Sequence, residues 1–412
     1  MKAGSCAPGN VTTNGGTHDS QPLGQTMTKH SFQHIAPPLR LFSGQDSLAQ
    51  LGRELDRANC RRAVIVCGAS LARHATLLDQ VRNALGERCS GVFDAARAHS
   101  PVSSVEEAAH VLERLGADAV VPVGGGSAIV TARAASILMA EQGSVAELST
   151  KIDEGGRVHS PRLSAPKLPQ FVVPTTPTTA IVKAGSAVFD PASGRRFALF
   201  DPKTRAQAVF VHPDFVSSAP SALVTTASIN TLTLAIEGLT SRTGEPLADA
   251  LLMHALRLVK AHLHAASGDD DARVELVLAA ILCGQGTDHS GMGVATVLSH
   301  AIGARHDLEN GTLNAILLPH ALRFNAETAP LGLEKVASAL DRPGASSGET
   351  IDTVEALLRG VGVPTSLREA GIPRDDLPAI AALGMQDWFL RGNPRRVSEA
   401  GELLQLLQAA WA

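Results

Sequence analysis

The sequence predicts two structural parts: a parallel sheet with helices on both faces, followed by an all-helical region. Up to about Val211, short apolar runs alternate with helical patterns, which is typical of a parallel sheet that helices cover on both sides. After Pro220 the strand-like runs nearly stop and long helical patterns follow. We therefore expect an α/β domain at 34–215 and a helical domain at 216–412.

Composition is that of an ordinary globular protein. The chain has 412 residues, of which 44% are hydrophobic and 18% charged, enough to bury a large core. A net charge of -4 offers no basic surface for nucleic acid. The five cysteines are an odd number without a CxxC pair, so we expect free thiols. Since no apolar run reaches transmembrane length and no signal peptide is evident, we expect a cytoplasmic protein without a membrane partner.

The first 33 residues differ from the rest of the chain. They are rich in Gly, Thr, Ser, Asn and His and contain few apolar side chains. Such a segment buries too little apolar surface to offset the entropy of ordering it. The sequence therefore predicts a disordered tail at 1–33.

The strands and helices of the α/β domain follow from hydrophobic periodicity. Continuous apolar runs predict buried parallel strands, and apolar residues at helical spacing predict covering helices. A turn at Ser193-Gly194 between two strand-like runs predicts a hairpin. The predicted strands are 39–42, 63–66, 92–93, 119–123, 171–173, 187–190, 196–200 and 209–211, and the predicted helices are 47–55, 71–85, 104–115 and 128–139. In the second domain the clearest helical patterns are 226–239, 246–266, 271–286 and 296–302.

A glycine-rich loop follows the strand predicted at 119–123. Gly124, Gly125 and Gly126 would let the backbone approach a ligand closely, and Ser127 adds a hydroxyl donor. The helix that follows would point its unpaired N–H groups at the same place, which together makes a phosphate cradle. The alternative is a tight turn that needs positive φ angles and binds nothing.

A threonine-rich loop follows the strand predicted at 171–173. Thr175, Thr176 and Thr179 would place hydroxyls at the carboxyl edge of the sheet, where they suit a ribose or a phosphate. Taken alone, a solvated polar turn is the simpler interpretation. Because the glycine loop is expected at the same edge, we favour a dinucleotide site.

The order of the motifs resembles the iron-containing alcohol dehydrogenase superfamily, which includes the maleylacetate reductases. The similarity runs from about Pro38 to the C-terminus. It implies a Rossmann-like N-terminal domain, an all-helical C-terminal domain of the dehydroquinate synthase-like fold, and a cleft between them for dinucleotide and substrate. We also expect a homodimer. The segments that carry the resemblance are 124–127, 174–176, 193–197, 235–237 and 314–320.

The metal ligands of that family have no equivalents here. The family pattern places an Asp and a His on adjacent turns of one helix, which fall on Asn230 and Leu234. Two further His ligands fall on Thr296 and Asn310. Leu cannot bind a metal, and neutral Asn and Thr lack the imidazole or carboxylate that zinc or ferrous iron needs. We therefore predict that there is no catalytic metal.

Smaller features place the chain nearest the maleylacetate reductases. That subgroup is similar in having Asn at the position of Asn230 and in lacking an Asp at the position of Val130. The segment Asn393-Pro394-Arg395 also resembles it. The chain departs from the subgroup at Leu234, Thr296 and Asn310, where those reductases keep His.

The resemblance suggests the residues that would act on a substrate. His300 matches a family His beside the metal site and is our candidate general acid, with a structural core His as the alternative. Asn230 could bond a substrate carbonyl or simply pair with a neighbour. Arg196 and Lys183 could hold a dicarboxylate or could be solvated surface charges.

Two further positions bear on the cofactor, which we expect to be NADH or NADPH. Gly68 stands where many family members have an acidic residue on the ribose, and its lack of a carboxylate permits a 2′-phosphate. Ser100 matches a loop that contacts the dinucleotide in the family.

A metal-free site favours one reaction class. Alcohol oxidation develops an alkoxide, which a metal stabilises as a Lewis acid. Hydride addition to an activated C=C develops an enolate, which hydrogen bonds or a guanidinium can stabilise. We therefore expect a reductase for an activated C=C, or C=O, of a small carboxylate. A non-redox lyase, isomerase or cyclase, and an inactive dinucleotide-binding subunit, are the alternatives.

Overall fold

All the described strands precede residue 212, as the sequence predicts. The computed structural model describes residues 31–153 and 157–412. Most of the predicted tail therefore lies outside the described residues. The strands are β1 (Arg40–Ser43), β2 (Ala63–Val66), β3 (Cys89–Phe93), β4 (Ala119–Gly124), β5 (Lys151–Ile152), β6 (Val158–His159), β7 (Gln170–Pro174), β8 (Gly185–Asp190), β9 (Arg195–Phe200) and β10 (Ala206–Val211).

The helices divide between the sheet and the second half of the chain. Those of the first half are α1 (Leu51–Arg57), α2 (Ala69–Ala72), α3 (Ala75–Leu85), α4 (Val102–Arg114), α5 (Gly126–Glu141) and α6 (Val145–Leu148). Those of the second half are α7 (Pro213–Ser217), α8 (Ser221–Thr240), α9 (Pro246–His262), α10 (Asp270–Gly286), α11 (Val294–Gly303), α12 (Asn310–Asn325), α13 (Pro330–Ala339), α14 (Ser347–Leu358), α15 (Leu377–Gly384) and α16 (Ala400–Trp411).

Six parallel strands form the main sheet in the order β1-β10-β7-β4-β2-β3. Alternate residues of β2 join the cores on the two faces: Ile65 packs on one side, and Val64 and Val66 on the other. This explains why the sequence of β2 is a continuous apolar run. From β2 the chain moves outward to β3 and then returns to β4 on the other side. The carboxyl ends of β2 and β4 therefore mark a topological switch point, where open α/β sheets bind ligands.

Two details differ from the expected elements. The helix predicted at 71–85 is divided into α2 and α3, because His74 leaves the helical region with φ of -93° and ψ of 75°. The predicted hairpin is present, with β8 and β9 antiparallel. Residues His34–Ala412 form one compact unit, so a domain boundary near 215 stays a prediction.

Helix α8 is the core helix of the second half. The length of α8 and its mean hydropathy of 1.3 would allow it to cross a membrane. This differs from the expectation that no apolar run reaches transmembrane length. However, 67% of that stretch is buried inside the protein, where Ile229, Leu232 and Ile236 join the helical core. Burial within the fold accounts for its apolar character.

A buried amide pair holds the start of α11. Asn393 Nδ2 donates to Asn325 Oδ1 at 2.8 Å, and Asn325 Nδ2 donates back to Asn393 Oδ1 at 2.9 Å. The same Asn393 oxygen accepts from Val294 N at 3.1 Å. One side chain from the C-terminal region thus joins α12 to the first turn of α11.

This pairing predicts a large stability effect for Asn393→Ala. The substitution would leave buried donors and acceptors of Asn325 and Val294 without partners, which costs roughly 2–4 kcal/mol of unfolding free energy. Asn83→Ala, at an exposed position of α3, is the control and should change stability by less than about 0.5 kcal/mol. Urea unfolding of the two variants measures the difference, and equal midpoints would contradict the structural role of the amide pair.

Candidate active site

The glycine loop lies between β4 and α5, at the switch point of the sheet. Gly124 has φ of +149°, a conformation that L side chains rarely adopt. Gly125 is the N-cap of the 16-residue helix α5, and no side chain caps that helix. The N–H groups of the first turn are therefore available to an anion, as a dinucleotide phosphate requires.

The threonine loop packs directly against the glycine loop. Thr175 N donates to Gly124 O at 3.1 Å. A Cβ on Gly125 would lie 2.9 Å from Thr176 Oγ1, and one on Gly126 would lie 3.2 Å from the hydroxyl of Thr178. Close approach of the two loops therefore accounts for the small residues. Thr178, whose hydroxyl also caps the 3-10 helix Thr179–Ile181, was not among the predicted site residues.

Gly68 and Ser100 lie beside the same edge. Gly68 follows β2 and is the N-cap of α2, where a Cβ would lie 3.1 Å from Ala96 O. Ser100 is buried, and its hydroxyl donates to Ser127 O at 3.0 Å. With φ of +48°, it holds a strained conformation of the kind that concentrates at functional sites. The hydroxyl of Ser100 thus holds its loop against the first turn of α5. The contact of Ser100 with a dinucleotide stays a prediction.

The positions that the resemblance assigns to a metal do not form a fitting set of ligands. Asn230 Oδ1 accepts from Asn314 Nδ2 at 2.9 Å, and Thr296 Oγ1 donates to Glu237 Oε2 at 2.5 Å. Leu234 is a buried member of the helical core. Asn230 and Thr296 are engaged within the protein, and the remaining two positions are a hydrocarbon side chain and the neutral amide of Asn310. This set therefore offers neither charge nor imidazole to zinc or iron.

Glu237 ties α8 to the start of α11. Besides the bond from Thr296, its Oε1 accepts from Ala295 N at 2.8 Å. Burial raises the pKa of Glu237, while the hydrogen bonds from Thr296 and the backbone of residues 293–296 oppose this. The sequence analysis used Glu237 only as a landmark. Its role became visible only from the meeting of two helices distant in sequence.

His300 is held by a carboxylate that sequence analysis missed. Its Nδ1 lies 3.0 Å from Asp387 Oδ2, and its ring lies 5.8 Å from that of Phe389. Asp387 Oδ1 in turn accepts from Phe389 N, so the carboxylate is fixed on both sides. Because Asp387 engages Nδ1, Nε2 is the nitrogen left for a substrate. No local motif marks Asp387, which lies 87 residues from His300 in sequence.

Arg196 lies near Asn310, one of the positions that the family pattern assigns to a metal ligand. Its Nη2 donates to Gly303 O at 3.4 Å, and a Cβ on Gly303 would lie 3.5 Å from both Arg196 Nη2 and Asn310 Oδ1. Gly303 is also three residues after His300, on the same side of α11. The guanidinium, Asn310 and His300 therefore gather at the end of α11.

The charge of Arg196 has no carboxylate partner. Among the described residues none lies within ion-pair distance, and its buried Nε makes no hydrogen bond there. Burial lowers the pKa of Arg196, which shows that the charged form is partly desolvated. A bound anion would supply the missing partner.

Lys183, the other predicted cation, is engaged. Its Nζ donates to Asp288 Oδ1 at 2.8 Å, and Arg205 pairs with Asp288 Oδ2 at 2.7 Å. Burial lowers the pKa of Lys183, and Asp288 opposes this. Asp288 is thus a partner that sequence analysis missed, and the role of Lys183 in holding a substrate carboxylate stays a prediction.

The hairpin β8–β9 contacts both the loop at Ser100 and the end of α11. Phe189 N on β8 donates to Ser100 O at 3.2 Å, and Phe189 pairs in register with Arg196 on β9. His99 lies 3.3 Å from Asp307, in the segment before α12. The loop that contains Ser100 and the residues around Arg196 therefore both lie beside this hairpin. Asn230 on α8 accepts its hydrogen bond from Asn314 on α12.

Comparison with known proteins agrees with this arrangement. Residues 38–213 match the family model for iron-containing alcohol dehydrogenase, and residues 224–411 match the model for the C-terminal part of that family. Lactaldehyde reductase of Escherichia coli K12 is 29% identical over 387 residues, which cover 89% of this chain and 97% of that protein. Maleylacetate reductase of Sphingobium indicum is 27% identical over 386 residues, covering 92% and 97%.

A solved structure supports the same fold. The crystal structure of maleylacetate reductase from Agrobacterium tumefaciens superposes with a TM-score of 0.75 at 26% sequence identity. The superposition covers 93% of this chain and 98% of that one. The parallel sheet with its helical second half is therefore the fold that the motif order predicted.

The contact between the two loops predicts the effect of Gly125→Ala on dinucleotide binding. The added methyl would push Thr176 away or displace the first turn of α5, so we expect the Kd for NADH and NADPH to rise at least tenfold. Gly348→Ala is the control, because its Cβ would meet no atom within 4 Å. Fluorescence titration of reduced dinucleotide measures both. An unchanged Kd for Gly125→Ala would show that the loop is only a turn.

Proposed function

Because the chain belongs to the iron-containing alcohol dehydrogenase family, whose members are oxidoreductases, we propose that it is a metal-independent NAD(P)H-dependent reductase. Its substrate would be a small carboxylate with an activated C=C, as in maleylacetate. The observation that carries the proposal is the partly buried guanidinium of Arg196, which pairs with no carboxylate of the described residues and lies near Asn310, a position that the family pattern assigns to a metal ligand.

The glycine and threonine loops support the cofactor assignment. Gly124, Gly125 and Gly126 let the threonine loop pack closely at the N-terminus of α5, which places the hydroxyls of Thr176 and Thr178 beside its first turn. These residues would hold the pyrophosphate, and the reduced nicotinamide would supply a hydride when bound. Gly68 has no carboxylate of its own, so this position does not repel a 2′-phosphate.

Arg196 would act on the electron pair that the reaction displaces. Hydride addition to the β-carbon moves the C=C electron pair toward the conjugated carbonyl and leaves an enolate oxygen. The Arg196 guanidinium can donate hydrogen bonds to this oxygen or to the neighbouring substrate carboxylate, and its positive charge stabilises either. Because Arg196 is partly buried, the interaction is stronger than it would be in bulk water.

His300 would complete the reduction by proton transfer. A proton from Nε2 to the α-carbon converts the enolate into the saturated product, and the nicotinamide leaves oxidised. Asp387 positions the ring through Nδ1 and touches no substrate in this scheme, so it is a positioning residue. His300 recovers its proton from solvent before the next turnover.

Turnover of maleylacetate without added metal is the direct test of the proposal. With the full-length protein treated with EDTA, we expect maleylacetate to oxidise NADH or NADPH, seen as a loss of nicotinamide absorbance. Metal analysis should find no stoichiometric zinc or iron. Activity that appears only after divalent metal is restored, or an absence of turnover with either cofactor, would refute it.

The role of Arg196 can be tested against its neighbour. Arg196→Met should lower kcat/KM at least about 100-fold, the usual effect of removing a donor to a developing oxyanion. The dinucleotide Kd should stay unchanged. Arg195→Met is the matched control, because Arg195 is the exposed adjacent residue of the same strand. Comparable kinetics in the two variants would remove Arg196 from the mechanism.

A further inference from the structure

A cavity that the proposed reaction does not use lies between the segment at 34–39 and the helices α9 and α10. Its volume is about 430 Å³, within the range of ligand-binding pockets. Its walls are the segment at 34–39, the first half of α9 and the end of α10. None of the candidate catalytic or cofactor-binding residues lines it, so neither the family resemblance nor the proposed reaction accounts for it.

Most of the lining is apolar, with polar groups in a few places. Leu39, Leu251 and Leu282 contribute hydrocarbon, and prolines of the 34–39 segment add to it. Arg205 and Asp288 form part of the wall. An apolar cavity with a few convergent polar groups is the usual form of a small-molecule site.

The wall beside Arg205 carries more positive than negative charge. Lys183 and Arg205 both pair with Asp288, at 2.8 and 2.7 Å. Arg133 is fully buried and donates only to backbone carbonyls, including Gly185 O at 2.6 Å. Burial, together with the charge of Arg205, lowers the pKa of Arg133 to about 9, and Asp288 opposes this.

Three cations therefore share one carboxylate among the described residues. Buried charge is costly unless it is paired, so an anion at this wall would relieve part of that cost. Arg205 is the one of the three cations that lines the cavity. A ligand that balances this charge would have its anionic end at Arg205 and its apolar part along the leucines.

We propose that this cavity binds a medium-chain fatty acid, with its carboxylate beside Arg205 and its hydrocarbon chain against Leu39, Leu251 and Leu282. The site is separate from the proposed reductase centre and does not depend on its chemistry. The excess positive charge favours an acid over a neutral lipid of the same length. The limited volume favours one chain over two.

Calorimetric titration of the full-length protein tests the ligand class. Decanoate, kept below its micelle concentration, should bind saturably with one site per chain. Decanol has the same chain length without the charge and should bind at least tenfold more weakly. An absence of saturable decanoate binding, or equal affinity for decanol, would overturn the proposal.

Two tryptophan variants of α9 locate the binding site. Ala250 is exposed and lines the cavity, so Ala250→Trp should fill the space and abolish decanoate binding without disturbing the core. Ala261 is exposed on the same helix outside the cavity, and Ala261→Trp should bind like the unmodified protein. Equal losses in the two variants would contradict the assignment. Loss of decanoate binding in Arg196→Met would place the ligand in the reductase centre and would also refute it.

Discussion

The buried carboxylate of Glu237 is the constraint on which the second half of the site depends. It accepts from Thr296 Oγ1 at 2.5 Å and from Ala295 N at 2.8 Å, at the N-terminus of α11. A buried carboxylate is costly unless it is hydrogen-bonded, and the first turn of a helix supplies donors and a favourable dipole. This bond fixes the axial position of α11 against α8, and with it the place of His300 one turn further along. The amide of Asn393 secures the same turn from the other side.

Hydrogen bonds between side chains hold these helices together. In a site with the full set of family ligands, a bound metal would also join them. A cation held by side chains of three helices joins those helices. In this chain Thr296 bonds to Glu237 across α11 and α8, and Asn314 bonds to Asn230 across α12 and α8. The helix contacts are thus maintained by neutral donors and one carboxylate. These hydrogen bonds do not supply the positive charge that a metal would supply. Arg196, near Asn310, is the group that can supply it.

The sequence predicted the sheet and the glycine loop well, because both depend on local patterns. Continuous apolar runs mark buried strands, and three glycines after β4 mark a close approach that Thr176 explains in the structure. The hairpin was equally visible, since Ser193-Gly194 separates two strand-like runs. These features need only neighbouring residues for their interpretation.

The contacts among distant residues could not be predicted in the same way. Asp387 lies 87 residues from His300, and nothing in its local sequence differs from an ordinary helix cap. Lys183 looked like a free cation until the fold placed Asp288 beside it, 105 residues away. The family resemblance located Arg196 near the cleft, but only the packing of β9 on α11 revealed that it pairs with no carboxylate in the described part of the chain. Pairing of charges is a property of the tertiary structure.

The neutral side chains at the positions that the family pattern assigns to a metal bear on the chemistry proposed for the site. A metal can lower the pKa of bound water to about 7, a stabilisation of developing oxyanions that hydrogen bonds alone do not match. Bonds to a charged donor contribute roughly 1.5–3 kcal/mol each. An alkoxide concentrates its charge on one oxygen and requires the larger effect, whereas an enolate spreads its charge over oxygen and carbon. With Arg196 as the nearby cation, the site is better suited to the enolate, and this is why conjugate reduction fits it better than alcohol oxidation.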